Sequence, residues 1–532
     1  MLLTLLPAAR TAAQTVITAD TAAATSILQI IAAKRYNFEK KDSANFISLA
    51  GDVQLKKENT LFYCDSAVLN QQQNVVEAFG HVHINDADSV HTYSDYMRYV
   101  GKERKAYLRN NVRLTDGKST LTTNELEYEI STKIGQYFKG GKVVTGKSVL
   151  TSSEGTYYGD TRDAQFRKNV VLVDPEYRVT TDTLLYNMET AVARFVAYTV
   201  ITSKDRVIKT REGYYDQKNR KAIFSNRTSV ADKESELVAD NIAFDDRSGF
   251  GQAQGDAIYT TKDSSDNRTT IFAGDIKFNR NAKSFLASLK PVMLVEQERD
   301  SLFIAADTFY SARLSALRRE RPIPVIRDSA YLASVLDIQK KDTSSDRFFE
   351  AYFNVRIYSD SMQAVGDSLF YSFQDSTFRL FRNPAIWMNE NQVTGDTIYL
   401  FTMKKKPERL YVFENGLAVS KVKGDYFNQV KGRTINGYFQ EGNIDYLRAR
   451  GAAESVYYVV DEDSAFIGVN KSTSDVIDMY FENREPHKVV FRNDLKGTTY
   501  PMQQVNHTEL RLKGFRWLES RRPRSWQELL KR

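Results

Sequence analysis

Three histidines, His81, His83 and His91, are the residues whose type best suits a metal ion. A zinc site needs three or four such ligands, each oriented by a further hydrogen bond. His81 and His83 lie two apart, on one face of a strand. Nothing nearby in the sequence completes a ligand set, so they read as surface histidines, and no metal or cofactor is expected. The lone cysteine, Cys64, lies in the strand-like run Thr60-Leu61-Phe62-Tyr63-Cys64 and reads as a buried structural thiol. Gly-rich phosphate-binding loops and the Gly-x-Ser-x-Gly elbow are absent. Carboxylates are abundant, but none is singled out as a catalytic pair. No catalytic residue is assigned, and the chain is expected not to be an enzyme.

The carboxylates do form a pattern. Asp65, Asp95, Asn124, Glu154, Asp182, Glu212 and Asp240 recur at steps of ~30 residues, a repeat array rather than one converging cluster. An aromatic follows four positions later in Asp95…Tyr99, Asn124…Tyr128, Glu154…Tyr158, Asp182…Tyr186, Asp240…Phe244 and Asp367…Tyr371. Acidic and amide residues at strand starts close turns. The aromatics are expected to pack on neighbouring rungs.

Each signature is preceded by a strand opening: Gly51-Asp52-Val53-Gln54-Leu55, Gly80-His81-Val82-His83-Ile84, Asn110-Asn111-Val112-Arg113-Leu114 and Lys168-Asn169-Val170-Val171-Leu172. Alternation at period two puts Val53 with Leu55, Val82 with Ile84, and Val112 with Leu114 on one face. Gln54, His83 and Arg113 point to the other. Val170 and Leu172 close the set of candidate inward residues. Asp174-Pro175 reads as the turn that passes the chain from one strand to the next.

The chain has 532 residues, 42% of them hydrophobic, with 30 Tyr, 30 Phe and 10 Pro. That excludes a disordered chain and favours strands. Net charge is +7, with both signs interleaved, a mild bias towards anionic partners. No basic stripe with stacked aromatics exists outside the tail, so nucleic acid is not an expected partner.

In order, residues 1–14 resemble a signal-peptide remnant, and 15–45 read as a linker or helix. Residues 46–312 form the first repeat region, and 313–348 an inserted charged loop that is the best boundary. A second repeat region spans 349–500, and a basic tail 501–532 opens a helix at Ser525. The apolar start is too short to span a bilayer, so the mature chain is expected to be exported and soluble. The fold class is all-β: an elongated β-jellyroll or open β-solenoid of strand-pair repeats.

These copies resemble the OstA/LptA superfamily, most clearly at Gly51–Leu55, Gly80–Ile84, Asn110–Leu114 and Asp182–Tyr186. The segment Gly395-Asp396-Thr397-Ile398 resembles the long OstA-like proteins of Bacteroidetes-type bacteria. The resemblance implies a protein of the periplasm, or one associated with the outer membrane, that helps to bridge the inner and outer membranes. It implies lipopolysaccharide or a related glycolipid as ligand, with acyl chains held in the groove. Partners would be other Lpt-type jellyroll proteins, joined by edge-strand addition, or further copies of the chain head to tail. Val53, Leu55, Val82, Ile84, Val112, Leu114, Val170 and Leu172 are the candidate lipid-facing residues. Two other readings stand beside this one: a structural or adhesive cell-surface solenoid with a packed interior, and a carbohydrate-active solenoid enzyme.

Overall fold

The computed structural model describes residues 28–41, 44–57, 59–86, 90–262, 267–296, 300–323, 346–403, 406–461, 465–483 and 485–531. It is nearly all β, as the composition requires. Two compact units divide between Arg167 and Lys168. The boundary therefore does not fall at 313–348. There the array continues without a break, because Thr308–Ala312 pairs with Phe348–Tyr358 (Tyr310 opposite Glu350) across the insertion. The insertion opens with a short helix, Leu314–Glu320, whose Leu314 and Leu317 pack on Phe348 and Phe370. Residues 324–345 and the expected signal remnant at 1–14 lie outside the described residues.

The expected linker or helix at 15–45 is corrected where it is described. Gln29–Ala32 and Arg35–Lys41 are strands, and both pair with Ala44–Lys57. Among the described residues no helix is long and apolar enough to cross a membrane, which says nothing of strands.

The first unit is a meander of bent strands: Ala44–Lys57, Thr60–Asn70, Val75–Asp86, Val90–Val100, Lys105–Thr115 and Ser119–Glu129. The sequence motifs read as strand openings turn out to be mid-strand corners. Gly51-Asp52, Gly80-His81 and Asn110-Asn111 each place two successive residues at positive φ. The ladder skips two residues at each of these points, between Ala50 and Val53, Phe79 and Val82, and Arg109 and Val112. Left-handed backbone suits Gly, Asn and Asp and penalises other side chains, which is why the motifs carry those residues. The same double corner recurs in the second unit, for example at Asn226-Arg227 and Arg382-Asn383.

Each corner divides its strand into two halves that pair with different stretches of the next strand. One face of the first unit is built from Val53–Lys57, Thr60–Tyr63, Val82–Asp86, His91–Tyr93 and Val112–Thr115. The other is built from Phe46–Ala50, Ser66–Asn70, Val75–Phe79, Tyr96–Val100 and Lys105–Arg109. The faces meet at the corners.

The carboxylates clamp these corners. Asp95 accepts from Asn111 Nδ2 at 2.7 Å, Glu212 from Asn226 at 2.7 Å, Asp307 from Asn354 at 2.8 Å, and Asp396 from Asn415 at 3.1 Å. The row of acids is thus a structural ladder along the bend, rather than a set of strand-start turns. Replacing Asn111 by Val puts a β-branched residue at φ 51° and removes the bond to Asp95. The expected cost is about 2 kcal/mol, read as a lowered denaturant midpoint, with Asn111→Gly losing less.

In the second unit the C-terminal segment crosses the outer side of one face. Leu510 and Leu512 pack on Leu417, Val419 and Phe427. Leu518 packs on Trp387, and Leu529 on Val292 and Ala305. Gln392 accepts from Leu518 N at 2.7 Å and donates to the Arg516 carbonyl at 2.7 Å, while Gln429 accepts from Leu512 N at 2.9 Å. The helix expected at Ser525 is present as Trp526–Leu530, with Ser525 extended at its N-cap but making no side-chain cap bond.

Candidate functional site

The alternation places the candidate residues as expected within the strands. Val53, Leu55, Val82, Ile84, Val112, Leu114 and Val170 are buried between the faces, while Leu172 is half-buried. Gln54 and His83 are half-buried, and Arg113 is exposed on the outer side. In the first unit these residues form rows. Val53, Cys64, Val82 and Val112 lie nearest the corners, and Leu55, Phe62, Ile84 and Leu114 one step out. Leu49, Ala67, Ala78, Met97, Leu108 and Leu126 face them from the other side. The structure brings the first six candidates together in one apolar interior. The remaining two, Val170 and Leu172, belong to the second unit.

The last row of the face that carries Val53 and Leu55, at the rim, runs Lys57, Thr60, Asp86 and Val90, and its first three members are polar. Lys57, Thr60 and Asp86 pair side by side and are all buried. Tyr99 and Tyr128, from the opposite face, reach across to them. The Lys57 ammonium donates to the Tyr99 hydroxyl and stands 4.8 Å from that ring's centroid. Tyr128 donates to Asp86 Oδ2 at 3.0 Å, and Thr60 donates to Oδ1 at 3.0 Å. Burial, reinforced by the Asp86 carboxylate, pushes the Tyr128 phenol far above its usual range, so it stays a donor. Tyr99 also tilts against Phe62 across the interior, with ring centroids 6.0 Å apart.

At Tyr99 and Tyr128 the signature aromatic bridges the two faces, whereas Phe244 and Tyr371 pack on neighbouring rungs, against Phe224 at 5.8 Å and Phe378 at 4.5 Å. The row of Tyr99 and Tyr128 holds Ala106 between the two and Gly135 beside Tyr128, small residues that leave room for the rings, with Val76 on the other side of Tyr99. In the third copy the inward ring is Tyr157; Tyr158, the one the spacing singled out, is exposed. The rim residues Lys57, Thr60 and Asp86 are not marked by the alternation pattern. A signal for two of them does exist, since Lys57 and Asp86 stand one repeat apart, as Tyr99 and Tyr128 do.

The histidines are dispersed on the outer surface. His81 pairs with Asp65 at 2.7 Å, and that hydrogen bond raises its pKa. His83 stacks between Tyr63 and Tyr93 and lies 3.1 Å from His91, and burial followed by the His91 and Arg113 charges lowers its pKa. No group of three or more potential metal ligands clusters among the described residues. Cys64 is buried, and desolvation together with the Asp65 charge pushes its thiol up to about 11. At pH 8 it is protonated, so a maleimide is expected to label it at least tenfold more slowly than it labels the urea-unfolded chain.

Residues 26–182 and 178–240 match a family model described as OstA-like protein. No curated protein matches the chain. A solved structure that does match is LptH from Pseudomonas aeruginosa, described as the LptA-homologous periplasmic component of the conserved lipopolysaccharide transport device. It is 16% identical; the match covers 21% of this chain and 80% of that one, with a TM-score of 0.19. A superposition at that score carries no argument about this chain.

Proposed function

This chain is OstA-like over residues 26–240, and from that premise we propose that it is a non-enzymatic lipid-binding protein of lipopolysaccharide transport. It would work in the periplasm as part of the route between the inner and outer membranes. The observation that carries the reading is the interior of the first unit, apolar from the corners outward, with the buried polar cluster of Lys57, Thr60, Asp86, Tyr99 and Tyr128 at its rim. That arrangement matches an amphiphile whose acyl chains lie between the faces and whose sugar-phosphate end stays at the edge. Each buried methylene of such a chain contributes ~0.8 kcal/mol, and similar rungs in series offer no single deep trap.

The N-terminal strands support the proposed partners. Gln29–Ala32 and Arg35–Lys41 pair on one edge with Ala44–Lys57, and Ile30, Ile31, Tyr36 and Phe38 are exposed. Among the described residues no strand pairs with their other edge. An open edge with exposed apolar side chains accepts a further strand, either from another jellyroll or from a second copy.

One observation favours a structural solenoid instead: Val53, Leu55, Val82, Ile84, Val112, Leu114 and Val170 are buried by the chain's own side chains. A titration separates the two. The transport reading expects purified full-length chain to take up lipopolysaccharide saturably, and depletion in cells to leave lipopolysaccharide at the inner membrane. A chain that binds none, and whose loss leaves export unchanged, is a structural element.

A further inference from the structure

We propose that the rim of the first unit is a lateral gate, at which acyl chains enter sideways between the faces when the Tyr99–Lys57 and Tyr128–Asp86 bridges open. The inference rests on the lipid-binding reading above and names the entry line and the residues that control it.

A wedge built only for stability would close its rim with apolar side chains, because burying charge is costly. Here the rim row of one face carries Lys57, Thr60 and Asp86 beside Val90, the other face's rim row runs Ile47, Leu69, Val76 and Tyr99, and Lys57 and Asp86 are the two buried charges of the first unit among the described residues. The closing contacts are phenol hydrogen bonds to one cation and one carboxylate. Such bonds exchange for water or for ligand oxygens, which can take the place of the phenols at both charged groups. The two bridges hold equivalent positions in successive repeats, so opening them in turn clears a continuous line across adjacent rungs. Ala106, between the two tyrosines, and Gly135, beyond Tyr128, give the rings room to swing aside on those sides. Opening needs no strand to unpair. The faces are joined along the row of left-handed double corners, and a small change there parts them at the rim. Once a chain has entered, Lys57 and the two phenols face its polar end, where an anionic phosphate replaces the Tyr99 hydroxyl as the partner of Lys57.

Stopped-flow uptake of fluorescent lipopolysaccharide by the full-length chain tests the gate. Tyr99→Phe and Tyr128→Phe keep the rings and remove the bridges. Each is expected to speed uptake several-fold, and the double variant ~10-fold, with little change in the amount bound at saturation. A second variant pair, Lys57→Cys with Tyr99→Cys joined by a cleavable bis-maleimide, is expected to abolish fast loading. Cleaving the linker should restore it. Uptake that is saturable but indifferent to both manipulations would overturn the gate and point to entry from the end of the array. Absence of any binding to the unaltered chain would instead overturn the lipid-binding reading on which the gate depends.

Discussion

Replacing Asp478 with alanine is expected to destabilise the last strands of the second unit by about 3 kcal/mol. Its carboxylate is fully buried and receives three charged or phenolic partners. Arg448 donates through Nε at 2.6 Å and Nη2 at 3.0 Å, Arg492 Nε at 2.6 Å, and the Tyr446 hydroxyl at 2.6 Å. These residues stand on three neighbouring strands, Asn443–Val460, Phe466–Glu482 and Glu485–Arg492. The carboxylate therefore ties Glu485–Arg492 to the two strands before it. Removing it leaves two guanidinium groups close together with no anion between them. Asp478→Asn keeps the volume and is expected to cost about half as much.

The same group sets an acid limit. Burial alone would raise its pKa, but the bonds from Arg448, Tyr446 and Arg492 outweigh that and hold it far below the ordinary carboxylate range. A carboxylate with a depressed folded-state pKa contributes stability that is complete above its unfolded value and lost as pH falls towards the folded one. The contribution is thus intact at neutral pH and fades only below about pH 4. A denaturation series from pH 7 to pH 2 is expected to show the gap between native and Asp478→Asn chains closing on the acid side.

Trp387→Ala is the second large effect, at about 3–5 kcal/mol. The indole is fully buried on the outer side of its face, packed with Val365 and Ala385 under Leu518. Its Nε1 donates to Gln392 Oε1 at 3.2 Å, and the same oxygen accepts from Leu518 N. Alanine leaves a void beneath the C-terminal segment and disturbs the glutamine that holds it. The segment is therefore expected to loosen before the array unfolds. Trypsin should cut at Arg516, Arg521 and Arg524 in the variant well before it cuts the strands, and Trp387→Phe should show roughly half the stability loss. All three tryptophans, Trp387, Trp517 and Trp526, lie along this contact, so intrinsic fluorescence reports its release directly.

Much of this architecture is legible in the chain because the repeat is written in residues with strong local preferences. Val53-Gln54-Leu55 and Val112-Arg113-Leu114 alternate cleanly, and their inward and outward sides are as the alternation predicts. Gly80-His81 and Asn110-Asn111 announce a left-handed backbone, although a linear reading takes a mid-strand corner for a strand start. Asp95 shows its spacing but not its partner, because Asn111 approaches only once the strands are paired. The rim is hidden for the same reason. Lys57 and Tyr99 lie on opposite faces, and neither alternation nor propensity records what meets across an interior. Arg35–Lys41 carries only one short alternation, Tyr36-Asn37-Phe38, before the charged run Glu39-Lys40-Lys41, too little to set a strand apart from a linker.

The most direct test of the central claim is photo-crosslinking in the presence of lipopolysaccharide. A small diazirine side chain is placed in turn at Val82 and Val112, which face the interior, and at Arg113, which faces out. The lipid-carrier account predicts capture of lipopolysaccharide from Val82 and Val112 and none from Arg113. Capture from Arg113 alone would contradict it, and would leave the interior as a closed core.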